Sequence, residues 1–362
     1  MGSNWELIAV YAAIFAGLFA FGLLINGVLL RFVKTLGMKN QNGTQVRWSS
    51  DTKPAIGGLS FYIVFLLGLS LAFFTFDMPD LTTRLDLIGV FIAASLGFMM
   101  GLTDDAYNTN PILKFSVQVI CGIILVVTGS SINLFDSAVL NKLITIFWVV
   151  GIMNSINMLD NMDGIATIVS IFILLSGMGA LVLFNRFESF EFMVMLAILA
   201  SLAAFLWYNW FPSRIYMGDT GSQFLGVLLA YLGIHYCWNI ENLIPLDEPV
   251  LPAAALLAVF TLPLCDTTVV TINRLRDGRS PFVGGKDHTT HHLSYRGLTD
   301  GGVAWVFTGI SVISMLLYMS LVVFAPETGY FFLIAYPVYF MVIFLLLFGI
   351  AEYNKRRGVS VE

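Results

Sequence analysis

The stretch from Asn154 to Gly164, NSINMLDNMDG, carries a polar residue at every third position: Asn154, Asn157, Asp160 and Asp163. Carboxylates and carboxamides are hard oxygen donors, suited to Mg2+ rather than to zinc. Residues three apart lie on one face of a helix end, drifting about 60° per step. Asn and Asp also cap free backbone groups, with Asp163–Gly164 opening the next helix. One Asp is explained by capping alone; four polar residues in register are not.

Three further stretches have comparable chemistry. In GLTDDAYN, Asp104 and Asp105 precede Asn108, Asn110 and Pro111. Asn-Pro marks a turn, so two solvated aspartates would be unremarkable there. Adjacent carboxylates repel, however, and Lys114 or a metal would relieve them. In YMGDTGSQFLG, Thr220 and Gln223 have capping-box spacing, which would make Asp219 a plain helix-start residue. The same geometry also suits an anion beside free N–H groups, with Asp219 holding a bridging metal. DHTTHHL puts His288, His291 and His292 on one helical face, but Thr289 stands where a zinc hydrolase needs Glu. Arg274, Arg276, Arg279, Lys286 and Arg296 surround these histidines and favour phosphate over a cation. A loop lying against anionic lipid headgroups would have the same charge.

The rest of the chain must deliver these stretches to one place. Of its 362 residues, 58% are hydrophobic and 11% charged, and the mean hydropathy is +0.85. Soluble domains carry about 25% charged residues, so this composition belongs to an all-α polytopic membrane protein. Eleven apolar runs are long enough to span: 5–33, 56–76, 85–103, 112–131, 138–155, 164–184, 191–207, 222–240, 250–270, 302–324 and 330–350. The first is too long for a signal-peptide core and is read as retained. Cys121, Cys237 and Cys265 all sit in apolar runs and read as small hydrophobes, and His235, at an outer helix end, reads as structural.

Alternate connections hold 15 of the 18 Lys and Arg residues; the opposite set holds Arg84, Lys142 and Arg186. The positive-inside rule then places the N-terminus outside and the C-terminus in the cytoplasm. All four polar stretches fall on the cytoplasmic side, which predicts one site at that membrane face. No repeat, linker or low-complexity tract divides the chain, so 1–362 reads as one domain. The net charge of -5 comes with no basic patch for nucleic acid. Oxygen donors on three loops and a basic fourth predict phosphate chemistry on a lipid-embedded substrate.

Taken together, the loops resemble the polyprenyl-phosphate N-acetylhexosamine-1-phosphate transferases. The resemblance runs from DTKPAIGG (51–58) to HHLSYRGLT (291–299) and includes the Asp pair with Lys114 and Gln118. It implies transfer of a sugar-1-phosphate from a UDP-sugar to a polyprenyl phosphate with release of UMP, using Mg2+ (or Mn2+), in the inner (plasma) membrane. The branch that moves GlcNAc-1-phosphate to undecaprenyl phosphate, starting a cell-envelope glycan such as lipopolysaccharide O-antigen, looks closest. The peptidoglycan branch, which uses UDP-MurNAc-pentapeptide, is the alternative, with its ten spans and contiguous triple-His loop. A homodimer is compatible with either. An ion-coupled transporter is the reading from a different class, and it predicts acids near helix midpoints.

By resemblance, Asp219 and Asn157 ligate the metal. Asp104 and Asp105 meet the lipid phosphate, and Asp163 meets the uracil beside Tyr216. Lys53 and Lys114 lie at phosphate or uridine. His291, Arg274 and Arg276 lie near the diphosphate and sugar, and Asp160, Asn154, His288 and His292 complete the site. Two positions depart from the pattern: His288 stands one place early, with Thr289 in the usual His slot, and Asn161 replaces a usual Gly.

Overall fold

Apolar runs in lipid must satisfy their backbone groups internally, and the chain does so with helices. The computed structural model describes residues 4–35, 53–75, 84–243, 251–281 and 284–358. Its helices are α1 (Asn4–Thr35), α2 (Gly57–Thr75), α3 (Leu85–Tyr107), α4 (Pro111–Val127), α5 (Ala138–Leu159), α6 (Ile165–Leu183) and α7 (Phe190–Asn209). Then come α8 (Gly218–Gly233), continued by a π-turn at Ile234–Trp238, α9 (Leu251–Val259), α10 (Thr261–Arg276) and the short α11 (Thr289–Tyr295). Among the described residues there is no strand; one isolated bridge joins Ala55 to Tyr216.

Helical hydrogen bonding continues from Asp300 to Arg356. Yet the Tyr339 hydroxyl donates to Ile310 O at 3.2 Å and meets Ser314 Oγ at 3.0 Å. In a straight helix these partners would lie roughly 37–44 Å apart at 1.5 Å per residue. The chain therefore doubles back, giving α12 (Asp300–Phe324) and α13 (Phe331–Arg356).

Eight of the described helices are long and apolar enough to cross a membrane, or nine if α9 and α10 count as one broken span. The pair bends by 80°. Pro263 stands in the first turn of α10. It has no N–H to return to Val259, so the α9 ladder ends there. The two remaining apolar runs fold as the 17-residue α4 and as the 16-residue α8 extended by its five-residue π-turn.

Polar contacts gather at two ends of the bundle. At one, Arg84 pairs with Asp86 and Glu191, Tyr231 donates to Asp86 at 3.1 Å, and His235 meets Ser130 at 3.2 Å. At the other lie the starts of α2, α4, α6 and α8 and the ends of α3, α5 and α7, held by the contacts described below. Successive helices from α2 to α8 thus run in opposite directions between the two ends. The α3–α8 packing is close because α3 carries Gly97 and Gly101. A Cβ on Gly97 would lie 3.0 Å from Gln223 O, and one on Gly101 2.2 Å from Asp219 O. This small-xxx-small face presses the end of α3 onto the start of α8.

Candidate active site

The centre of the site is the Lys114 ammonium, in the first turn of α4. It lies 3.0 Å from Asp104 Oδ2, 3.1 Å from Asp219 Oδ2 and 3.4 Å from Asn157 Oδ1. Four helices, α3, α4, α5 and α8, thus contribute one polar group each. Asp104 also accepts from Thr109 N at 2.8 Å and Thr109 Oγ1 at 2.6 Å, which fixes its carboxylate over the α3–α4 turn. Asn157 Nδ2 donates to Asp219 Oδ1 and, at 2.8 Å, to Ser222 Oγ.

Asp105 plays a different part from its neighbour. Its Oδ1 accepts from Asp219 N at 3.0 Å; its Oδ2 accepts from Thr220 N at 2.9 Å and Thr220 Oγ1 at 2.6 Å. It therefore caps α8 from outside the helix, satisfying N–H groups that have no partner of their own. Met217, at the cap position, offers no side-chain bond. Gly218, at φ +73°, turns the chain into α8, and a Cβ there would also lie 2.7 Å from Asp105 Oδ2.

One turn deeper, each of three helices adds a carboxamide. Asn154 and Gln118 exchange hydrogen bonds at 2.8 and 3.2 Å, and Gln118 Nε2 donates to Gln223 Oε1 at 3.0 Å. These sit below Asn157, Lys114 and Asp219 respectively. Asn154, expected at substrate, here ties α5 to α4. Gln223, fully buried, has no counterpart among the expected site residues.

A second cluster adjoins the first. Both Asp163 oxygens are held by Ser213, from N at 2.8 Å and Oγ at 2.7 Å. Lys53 lies 3.6 Å from Asp163, donates to Ser213 Oγ at 3.2 Å and stands over the Tyr216 ring at 5.3 Å. Backbone bonds pin Lys53's strand-like segment: Tyr216 N to Pro54 O at 3.0 Å and Gly57 N to Tyr216 O at 3.1 Å. An acid, a base and an aromatic face converge there. Asn209 braces this loop pair, accepting from Gly164 N and Thr167 Oγ1 and donating to Ile215 O. It was invisible in sequence because an Asn at the end of an apolar run reads as a terminus.

The His loop meets the acidic run directly: Thr290 Oγ1 donates to Asn161 Oδ1 at 2.5 Å. Its anchor is Asp266, a fully buried carboxylate on α10 that the sequence did not flag. Asp266 contacts His288 Nδ1 at 2.9 Å and accepts from Thr289 N at 2.8 Å and Thr289 Oγ1 at 2.6 Å. Burial pushes the His291 imidazole down to about 3 and also lowers His292. His291 is therefore a neutral group near pH 7, with its Nδ1 toward His288 N.

Arg274 and Arg276, expected near diphosphate and sugar, are both committed to protein partners. Arg274 makes a bidentate pair with Asp287 at 2.9 and 2.6 Å and also reaches Pro281 O. Burial would raise the Asp287 carboxyl, but Arg274 holds it below the usual range. Arg276, 55% exposed, pairs with Glu352 of α13 at 3.0 Å. Asp160 ends α5, its N–H bonded to Ile156 O.

Among the described residues, no three His, Cys, Asp or Glu side chains could hold a metal by themselves. Mg2+ does not require that: it is commonly held by one or two protein oxygens plus substrate phosphates and water. Asp219 and the carboxamide oxygen of Asn157 fit such a role. Asn157 would present that oxygen after an amide turn, an orientation set by its hydrogen bonds.

Comparison with known proteins places this geometry. Residues 87–236, which include the Asp pair, the acidic run and Asp219, match Glycosyl transferase family 4. A probable undecaprenyl-phosphate N-acetylglucosaminyl 1-phosphate transferase of Bacillus subtilis is 25% identical over 286 residues, 76% of this chain and 75% of that protein. The decaprenyl-phosphate N-acetylglucosaminephosphotransferase of Mycobacterium leprae is 27% identical over 354 residues, 90% of this chain and 84% of that one. The undecaprenyl-phosphate alpha-N-acetylglucosaminyl 1-phosphate transferase of Escherichia coli K12 is 28% identical over 149 residues, 41% of this chain and 36% of that protein. The chain is therefore similar to glycosyl transferase family 4 through residues 87–236 and, over up to 90% of its length, to proteins named as transferases of N-acetylglucosamine phosphate.

Proposed function

We propose that the chain transfers GlcNAc-1-phosphate, or a related HexNAc-1-phosphate, from a UDP-sugar to undecaprenyl phosphate. UMP leaves, and the lipid-linked product starts a cell-envelope glycan. The observation that carries this reading is the Lys114 ammonium set between Asp104 and Asp219 at 3.0 and 3.1 Å, with Asn157 beside it. One ammonium between two carboxylates leaves the cluster net negative, so it would take a diphosphate and a lipid phosphate only together with a divalent cation, for which Asp219 and Asn157 offer oxygens.

An oxygen of the lipid phosphate attacks the sugar-bearing phosphorus, and the bond from that phosphorus to the bridging oxygen breaks. The electron pair leaves with UMP. Lipid phosphate is largely ionised near neutrality, so Asp104 acts through Lys114 and Thr109 to position charge rather than as a strong base. Lys53, Asp163 and Tyr216 hold the uridine end, and His291 meets the diphosphate and sugar as a neutral donor or acceptor. Asp219 and Asn157 would hold Mg2+, which would supply Lewis-acid neutralisation of the diphosphate.

The proposed topology has eleven crossings, with the N-terminus outside and the site at the cytoplasmic face of the plasma membrane. It is supported by the charge asymmetry of the loops and by the alternating helix directions. The test offers purified protein UDP-GlcNAc, UDP-GalNAc or UDP-MurNAc-pentapeptide with undecaprenyl phosphate and Mg2+. UDP-GlcNAc should be the best donor, and Asp219→Ala should abolish its use. Preference for the MurNAc-pentapeptide donor, or an unimpaired Asp219→Ala protein, would reject the reading.

A further inference from the structure

Four consecutive residues in the last turn of α13 each engage the end of α10 or the segment between α10 and α12. Glu352 accepts from Arg276 Nη1 at 3.0 Å. The Tyr353 ring takes the Arg296 guanidinium at 4.4 Å from its centroid. Asn354 Nδ2 donates to His292 O at 2.8 Å and meets His292 Nδ1 at 3.3 Å. Lys355 pairs with Asp277. Successive helical side chains point about 100° apart, so no flat surface could meet all four. The loop wraps the end of α13 as a collar.

The contacts are unequal. Arg276 is 55% exposed, and ion pairs as open as these contribute little and weaken with salt. Asn354 and His292 are 2% and 3% exposed, so their hydrogen bonds dominate. His292 directly follows His291, while Asp266 of α10 holds His288 at the start of the same turn. We infer that the last turn of α13 is a clasp that sets the position of His291, which makes Asn354 a positioning residue for UDP-sugar use. The role in substrate use rests on the transferase reading; the clasp itself does not.

The test uses the full-length protein in detergent and begins without substrate. Asn354→Ala should raise amide hydrogen exchange across 286–296 by about tenfold, as loss of a buried hydrogen bond allows. It should raise KM for UDP-GlcNAc by a similar factor while KM for undecaprenyl phosphate stays unchanged. Arg276→Glu should impair UDP-GlcNAc use mildly, and Arg276→Glu with Glu352→Arg should restore it. Restoration is not expected if Arg276 contacts the diphosphate itself. Unchanged exchange in Asn354→Ala, or an unchanged KM for UDP-GlcNAc in that variant, overturns the clasp. A wild-type protein that moves no sugar phosphate would sink the transferase reading instead, and the exchange measurement would still decide the clasp.

Discussion

The Lys114 ammonium lies 3.1 Å from the Asp219 carboxylate, and that contact joins the first turn of α4 to the first turn of α8. Asp104 approaches the same nitrogen at 3.0 Å, so removing the lysine would leave two carboxylates facing each other. Lys114→Met should therefore lower the unfolding temperature in EDTA, because half of a partly buried pair has been deleted. Added Mg2+ should then raise that temperature more in the variant than in the wild type, since a ligand that binds the folded state stabilises it. Equal Mg2+ responses in the two proteins would count against Asp219 and Asn157 as the metal site.

Asp105→Asn separates a cap from a substrate contact. Asn can accept on only one side-chain atom, whereas Asp105 accepts from Asp219 N, Thr220 N and Thr220 Oγ1. The loss of cap bonds should cost about 1–2 kcal/mol of stability. Displacement of Asp219 should also cut kcat by about a hundredfold. Asp104→Asn should cut kcat while leaving UDP-GlcNAc binding by calorimetry largely intact. If Asp105→Asn keeps wild-type stability, Asp105 is not holding α8.

The His loop should weaken in acid. Burial places His291 at about 3 in the folded protein, against an ordinary value of 6.5. Below pH 6.5 the unfolded chain takes a proton that the folded loop refuses. Stability is therefore full above that pH and falls by about 1.4 kcal/mol per pH unit as the pH drops toward 3. His291→Gln should flatten this slope in thermal unfolding measured from pH 7.5 to pH 5. Identical slopes would mean that His291 is not buried as a neutral group.

The topology makes a separate prediction. A C-terminal fusion to a reporter active only outside the cytoplasm should stay silent, because 15 of 18 basic residues then lie inside. Activity of that reporter would place the site on the wrong face for a nucleotide substrate.

Much of the site was legible because its residues are polar exceptions in apolar surroundings. Asp104, Asn157, Asp219 and the Lys53–Asp163–Tyr216 group come together as their shared side of the bundle demanded. Asp266 and Asn209 were not legible, each lying within or at the end of an apolar run; Gln223 reads in sequence as a capping residue and Asn354 as one of the polar residues of the tail, and only their partners reveal their work. Arg274 and Arg276, expected near diphosphate and sugar, stand in the last turn of α10, where the structure pairs them with Asp287 and Glu352, partners that the sequence alone does not reveal. The break between α9 and α10 was missed because the run 250–270 is apolar enough on average to read as one span, although Pro263 stands within it.

The central claim is that the bond broken lies on the uridine side of the sugar-bearing phosphorus. Its most direct test labels that phosphorus in UDP-GlcNAc with 32P and follows the label into organic-extractable undecaprenyl lipid. The account predicts that label and sugar enter the lipid together in a one-to-one ratio, with UMP released and the transfer lost in Asp219→Ala. Sugar entering the lipid while the label stays with the nucleotide, or no transfer at all, would contradict it.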